Sequence, residues 1–167
     1  CRLGHIVNIK GGKRIPKGMS FSVEVTNHIY IRVTDMKNGT ISSANLKYID
    51  KDIFNMIKNY TISKSDLYLT IAGSIGLVGI VPDEFDGMNL TENAVKLTDI
   101  KINKMFLHKV LQASFAQQQF ATRYHQVAQP KLSIETANKT LIPIPPIEEQ
   151  QRIIQKLSKI METIEFL

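Results

Sequence analysis

Three of the four residues from Pro143 to Pro146 are proline. Proline removes a backbone donor and holds its own φ and that of the residue before it in extended territory. No helix or central strand can pass through residues 141–146, so the chain divides there. Before it lie 142 residues with β-branched runs and glycine turns. After it comes an amphipathic helix, opened by Glu148 and Glu149, whose negative charge suits a helix N-terminus. That helix carries Ile153, Leu157, Ile160, Ile164 and Leu167 in steps of 4, 3, 4 and 3. This is an a/d repeat, the pattern of a helix that packs against another helix. A packed amphipathic helix of one domain gives the same spacing over so short a span. The proline segment reads as a hinge, so the helix need not fold back. An apolar repeat running unbroken to Leu167, and a start at Cys1 and not Met, suggest a piece of a longer protein.

Upstream, residues 3–9 read as a short strand broken by Gly11-Gly12, with a turn at Pro16-Lys17-Gly18. Residues 28–33 are β-branched and aromatic and predict a strand. Asn38-Gly39 suits a turn with positive φ. Residues 66–71 and 77–81 predict two strands around a glycine turn that contains Gly73 and Gly76. Residues 87–93 read as a polar loop before a strand at 94–97. Asn103 is placed to cap a helix with Leu107, Val110, Leu111 and Phe115 on its apolar face. Ser133 and Thr136 flank a short helical turn. The pattern is α+β: a globular domain on a twisted, mainly antiparallel sheet with helices, residues 1–142, then the proline hinge and a coiled-coil helix, residues 143–167.

Charge is uneven. The net charge is +6, and residues 1–60 hold 10 Lys and Arg against four acids, while the remainder is balanced. Lys10, Lys13, Arg14 and Lys17 fall within eight residues. A second stretch, 100–134, has no acid and is rich in Lys and Gln. Cations neutralise phosphates and side-chain amides pair with adenine edges. A solvated basic surface has the same composition.

Catalytic motifs do not appear. The glycines at 73, 76 and 79 match neither a phosphate-binding loop nor a dinucleotide fingerprint. Asp83, Glu84, Asp86 and Glu92 lack the acid-x-Lys element of a nuclease and read as a solvated acidic loop. The single Pro-Pro pair lacks the aromatic partner expected of an amino-methyltransferase. One Cys and four scattered His suggest neither a disulfide nor a zinc site. No run is long and apolar enough for a membrane span, and a cytoplasmic setting is expected.

Four stretches together resemble the specificity subunit of type I restriction–modification systems, in one of its target-recognition halves. They are Leu3-Gly4-His5-Ile6 through Gly11-Gly12-Lys13-Arg14-Ile15-Pro16-Lys17-Gly18; residues 30–39; residues 73–80; and Leu141-Ile142-Pro143-Ile144-Pro145-Pro146-Ile147-Glu148-Glu149-Gln150-Gln151-Arg152-Ile153-Ile154. The prolines leading into Glu-Gln-Arg-Ile are the most specific. The resemblance implies a bacterial or archaeal, non-catalytic reader of double-stranded DNA. It implies docking to methyltransferase (modification) subunits and, in the full complex, a restriction subunit. S-adenosylmethionine, ATP and Mg2+ would serve those partners, with no cofactor in this chain. A full subunit of this kind has two recognition domains and two long helices. This chain has one of each, so it is either a cut fragment or a half-length form that forms a homodimer through its C-terminal helix.

On this reading Lys13, Arg14 and Lys17 hold phosphates. Arg32, Lys37, Asn38, Ser74, Asn89 and Asn93 are candidates for the groove or its edge, and Gln129 with Lys131 forms a third contact group. Each has a plain structural alternative: Arg32 can pair with Asp35 across a turn, and Asn38 can serve turn geometry alone. The competing functions are a protein-interaction scaffold whose basic face is incidental and, less supported, an enzyme acting on nucleic acid.

Overall fold

The computed structural model describes residues 1–121 and 130–165. Among the described residues, ten short strands form two four-stranded sheets and a separate hairpin. The first sheet is antiparallel throughout. It comprises β1 (Asn8–Gly11), β7 (Leu67–Thr70), β8 (Val78–Ile80) and β10 (Ala94–Thr98), in the order β1-β10-β7-β8. The second contains β2 (Ile29–Ile31), β5 (Lys47–Tyr48), β6 (Thr61–Ile62) and β9 (Met88–Leu90), in the order β5-β2-β9-β6. Its β2–β9 pair is parallel and the other pairs are antiparallel. The hairpin joins β3 (Met36–Lys37) to β4 (Thr40–Ile41). The expected α+β class and mainly antiparallel pairing are both present.

Every residue of β7 is buried because both faces of that strand are covered. Leu67 and Leu69 pack with Val95, Leu97, Leu107, Leu111 and Phe120 on one side. Tyr68 packs with Ile31, Ile62, Phe85 and Leu90 on the other. A third cluster forms under α1 (Lys51–Ile57), where Ile49, Ile53 and Ile57 recur every four residues beside Tyr30. Asp50 caps this helix by accepting from the Ile53 N–H at 2.8 Å. Burying each such aliphatic side chain is worth roughly 1.5–3 kcal/mol.

Several local expectations change. Residues 3–9 are not one strand. Leu3–His5 is a 3-10 turn and the strand begins at Asn8, because Leu3, Ile6 and Val7 all turn toward the core. The expected polar loop at 87–93 contains β9, whose backbone pairs on both sides. The helix capped by Asn103 is interrupted at Ala113. It becomes α2 (Lys104–Gln112) and α3 (Ser114–Ala121), and Phe115 is exposed and not on the apolar face. The Asn103 cap itself is present, with its side chain accepting from the Phe106 N–H at 3.0 Å. Ser133 likewise caps α4 (Ile134–Asn138).

The terminal helix, α5 (Ile147–Glu165), does fold back over its first turns. Ile153 and Ile154 pack against the first core. Gln150 is 2% exposed. Its Oε1 accepts from the Asn103 N–H at 3.0 Å, and its Nε2 donates to the Pro145 carbonyl at 2.8 Å. The prolines therefore act as a strap that this one amide fastens. Farther along, Ile160, Met161 and Ile164 are exposed; Leu167 lies outside the described residues.

Two stability predictions follow from buried polar groups. Gln150→Leu leaves the Asn103 N–H without a partner, which costs about 1–3 kcal/mol. Urea unfolding should show that loss, and tryptic cleavage at Arg152 and Lys156 should accelerate. His108 is buried, and among the described residues neither ring nitrogen has a hydrogen bond of normal geometry. Burial, then the charge of Lys109, outweigh an upward pull from the Val78 backbone and, with Lys104, hold its pKa below the ordinary value. The folded state thus refuses a proton that the unfolded chain accepts below about pH 6.5. Stability is full above that pH and falls as pH drops toward the folded-state value. His108→Leu should flatten this fall between pH 7.5 and 5, and raise neutral-pH stability by about 1 kcal/mol, as read from urea midpoints.

Candidate nucleic-acid interface

The two sheets meet at residues 91–93, where β9 of one sheet runs directly into β10 of the other. Three chain segments converge on this joint. From β1, the Gly12 N–H donates to the Ala94 carbonyl at 3.1 Å and the Lys13 N–H to the Leu90 carbonyl at 2.9 Å. From β2, the Ile31 carbonyl accepts from the Thr91 N–H at 3.1 Å. From β7, the Ile71 and Ala72 N–H groups both donate to the Asn93 carbonyl. A Cβ on Gly12 would collide with the Thr91 and Leu90 carbonyl oxygens. Glycine is required there by close approach and not merely as a strand breaker.

This joint fixes a polar network. Arg14 Nε donates to Glu92 Oε1 at 2.6 Å. Glu92 Oε2 accepts from Thr91 Oγ1 at 3.1 Å and from the Tyr30 hydroxyl at 3.2 Å. The single proton of that hydroxyl is shared with the nearer Lys13 carbonyl at 2.8 Å, securing the backbone just before Arg14. Burial pushes the Glu92 carboxyl up, but hydrogen bonds from Arg14, its own backbone and Thr91, with the Arg14 charge, bring it below its ordinary range. It is ionised at neutral pH. Burial raises the Tyr30 phenol to about 12. The Arg14 side chain remains 78% exposed, against 25% for Glu92.

Above the network lies an open hollow of about 360 Å3, lined by Arg14, Arg32, Thr34 and Asn93, with Tyr30, Thr91 and Glu92 also in its wall. It shares Arg14 and Glu92 with a second hollow that holds Lys13, Lys131 and Ser133. It shares Arg32 and Thr34 with a third that holds Lys37, Ser42 and Asn45. The three make one basic track in the order Lys131, Lys13, Arg14, Arg32, Lys37. Asn93 uses its backbone groups at the joint, while among the described residues its side-chain amide makes no hydrogen bond. The track thus offers cationic and amide donors beside two paired carboxylates, the half-buried Glu92 and the buried Asp35.

The sequence-derived candidates divide on this surface. Lys13, Arg14, Arg32, Lys37, Asn93 and Lys131 lie along the track. Lys13 also has its Nζ 5.6 Å from the centre of the Tyr60 ring. Arg32 is largely occupied, as its structural alternative anticipated. Its backbone N–H and Nε donate to Asp35 Oδ2 at 2.8 and 3.1 Å, and one terminal nitrogen donates to Asp35 Oδ1 at 2.7 Å and the Asn45 carbonyl at 2.6 Å. Asn38 and Gly39 both have positive φ, 53° and 74°, so they form the tight β3–β4 turn that such residues favour. Asn38 faces a separate hollow beside Gly76, Gln112 and Gln117. Ser74 is exposed on the β7–β8 turn, and its carbonyl accepts from Thr70 Oγ1. Lys17 is exposed but lines none of the three hollows. Gln129 lies outside the described residues.

Asn89 requires correction. It is fully buried in β9, and its Nδ2 donates to the Ile57 carbonyl at 2.9 Å. Its side chain faces the interior and cannot reach a ligand on this surface. Conversely, Glu92, Tyr30 and Thr34 belong to the site but were not among the candidates. Glu92 read as part of a solvated acidic loop because its cationic partner lies 78 residues away. Asp86 is the more ordinary member of that loop, accepting from Ser63 and from the Lys64 N–H.

Comparison with known proteins places this surface in context. The family model for the type I restriction modification DNA specificity domain matches residues 1–167. The chain is 30% identical over 132 residues to the Escherichia coli type I restriction enzyme EcoBI specificity subunit, covering 78% of this chain and 28% of that protein. The fold matches the crystal structure of the HsdS subunit from Thermoanaerobacter tengcongensis with a TM-score of 0.68 at 20% identity, over 99% of this chain and 42% of that one. It matches the type I restriction-modification S subunit from M. genitalium with a TM-score of 0.66 at 16% identity, over 99% and 39%. The chain therefore spans well under half the length of each of these proteins. With a family model matching its whole length, the chain belongs to the type I restriction–modification DNA specificity domain family.

Proposed function

We propose that this chain binds double-stranded DNA in a sequence-specific manner and gives target specificity to the methyltransferase and restriction subunits of a type I restriction–modification system. The observation that carries the reading is the continuous basic track over the joint of the two sheets, on a chain of this family. Cations supply sequence-independent attraction to phosphates, and the free Asn93 amide and the Arg14 guanidinium supply groups able to read base edges. The family is one of specificity domains and not of catalytic subunits, so the chain is read as non-catalytic. S-adenosylmethionine, ATP and Mg2+ then belong to the partner subunits.

The exposed strip of Ile160, Met161 and Ile164 on α5 supports a second element of the proposal. Apolar side chains exposed at helical spacing favour a second helix as their cover, although Met161 Sδ already lies 3.9 Å from Lys109 Nζ of α2. For this chain alone, that helix is the α5 of a second copy, in antiparallel pairing about a two-fold axis. The competing scaffold reading keeps this pairing but assigns no role to the basic track.

Two measurements separate these readings. Affinity for duplex DNA should fall steeply with salt, with a log–log slope of about −0.9 for each phosphate neutralised. Lys13→Ala with Lys131→Ala should lower affinity on all sequences alike and reduce that slope by about two. Binding unaffected by salt and by these changes would leave the scaffold reading in place. Ile160→Glu with Ile164→Glu should convert a sedimenting dimer to a monomer while leaving the domain's thermal transition within a few degrees; a wild-type chain that is monomeric at tens of micromolar refutes the pairing.

A further inference from the structure

Arg14 is built differently from the other cations of the track. Its Nε is held by Glu92, which fixes the plane of the guanidinium. The backbone beneath it is clamped twice, by the Lys13 N–H on the Leu90 carbonyl and by the Tyr30 hydroxyl on the Lys13 carbonyl. The Arg14 side chain nevertheless remains mostly exposed. Its two terminal nitrogens, which make no hydrogen bond among the described residues, form a pre-oriented fork at the mouth of the hollow.

Such a fork suits one ligand chemistry better than another. A phosphate is attracted by net positive charge, and Glu92 directly behind Arg14 cancels much of that charge and repels an anion. A guanine edge is neutral and presents two acceptors, O6 and N7, spaced for two parallel N–H donors. Rigid presentation of the donors also removes the ordering cost that a free arginine side chain would meet on binding. Lys13 and Lys131 line the adjoining hollow, which Arg14 also borders, so phosphate neutralisation there does not need Arg14.

We propose that Arg14 is a base-reading residue that donates through its terminal nitrogens to a guanine in the DNA major groove, and that Glu92 is its positioning residue. This rests on the DNA-binding reading above. It replaces the phosphate role expected for Arg14 from sequence and places an acidic residue within the recognition machinery.

The test is selection from a randomised duplex library by the chain, alone and with its modification subunits, followed by affinities for all four base pairs at each selected position. Arg14→Lys retains the charge but lacks the fork. It should relax discrimination at one G·C pair by about tenfold to a hundredfold, with the salt slope unchanged. Glu92→Gln should relax the same position to a smaller degree, because the neutral amide holds Nε less firmly. If Arg14→Lys leaves every position as in the wild type, and Arg14→Ala weakens all sequences equally while lowering the salt slope by about one, Arg14 holds a phosphate and the inference is overturned. A wild-type chain that selects no sequence in either setting removes the DNA-binding reading itself, and this inference with it.

Discussion

The approach of Gly12 to the carbonyls of Leu90 and Thr91 is the contact on which the rest of this structure depends. Neither sheet continues through the joint, so the turn of chain at residues 91–93 must satisfy its backbone groups from outside. It does so with an acceptor from β2 and donors beyond β7, while donors from the β1 end take the flanking Leu90 and Ala94 carbonyls. Any side chain at position 12 would force these apart, because it would meet rigid backbone and not a flexible neighbour. Buried backbone groups left unpaired by such a shift each carry a desolvation cost comparable to a lost hydrogen bond. The same packing that unites the two sheets is what delivers Arg14, Asn93 and the Arg32 edge to one surface.

Two arginine–carboxylate pairs on that surface show how similar chemistry serves different ends. Asp35 receives three hydrogen bonds from Arg32, and the Asn45 carbonyl takes another. That pair is closed, and it secures the 3-10 turn Val33–Asp35 that leads into the β3–β4 hairpin. Glu92 receives only the Nε of Arg14 and turns its other oxygen to Thr91 and Tyr30. That pair is open, with the donor end of the arginine outward. A count of basic residues treats the two arginines as equivalent, while the geometry of their partners assigns them to scaffold and surface respectively.

What was legible in the sequence is what local chemistry decides. The Asn38-Gly39 turn, the Asn103 and Ser133 caps, the strand pair around Gly73 and the proline break all involve groups within a few residues of one another, and each is present. The residues that escaped were those whose role is set by distant partners. Asn89 looks like a polar loop residue until the Ile57 carbonyl, 32 residues away, is brought against it. Glu92 looks solvated until Arg14 arrives from 78 residues upstream. The repeat Ile49, Ile53, Ile57 is a local helical signal, but no glycine or proline frames it. Within the site, the cations were found by type, whereas the carboxylate, phenol and hydroxyl that organise them have no spacing signal.

The attachment of α5 ties the terminal helix to the joint beneath the basic track. Asn103 serves two masters: its side chain caps α2, and its backbone N–H is taken by Gln150 of α5. Since β10 leads through residues 99–103 into α2, the helix is referenced to the same strand that forms the joint beneath the basic track. At 1.5 Å per residue, α5 runs about 22 Å beyond that anchor to Glu165. Its first turns are held on the core by Ile153 and Ile154, and its apolar strip lies beyond them. A hinge of free prolines would leave the direction of this helix undefined, and a second helix paired with it would then hold nothing at a set distance. A strap fastened by one buried amide instead gives the helix a fixed bearing relative to the groove. Any partner that covers Ile160 and Ile164 is thereby oriented with respect to Arg14 as well.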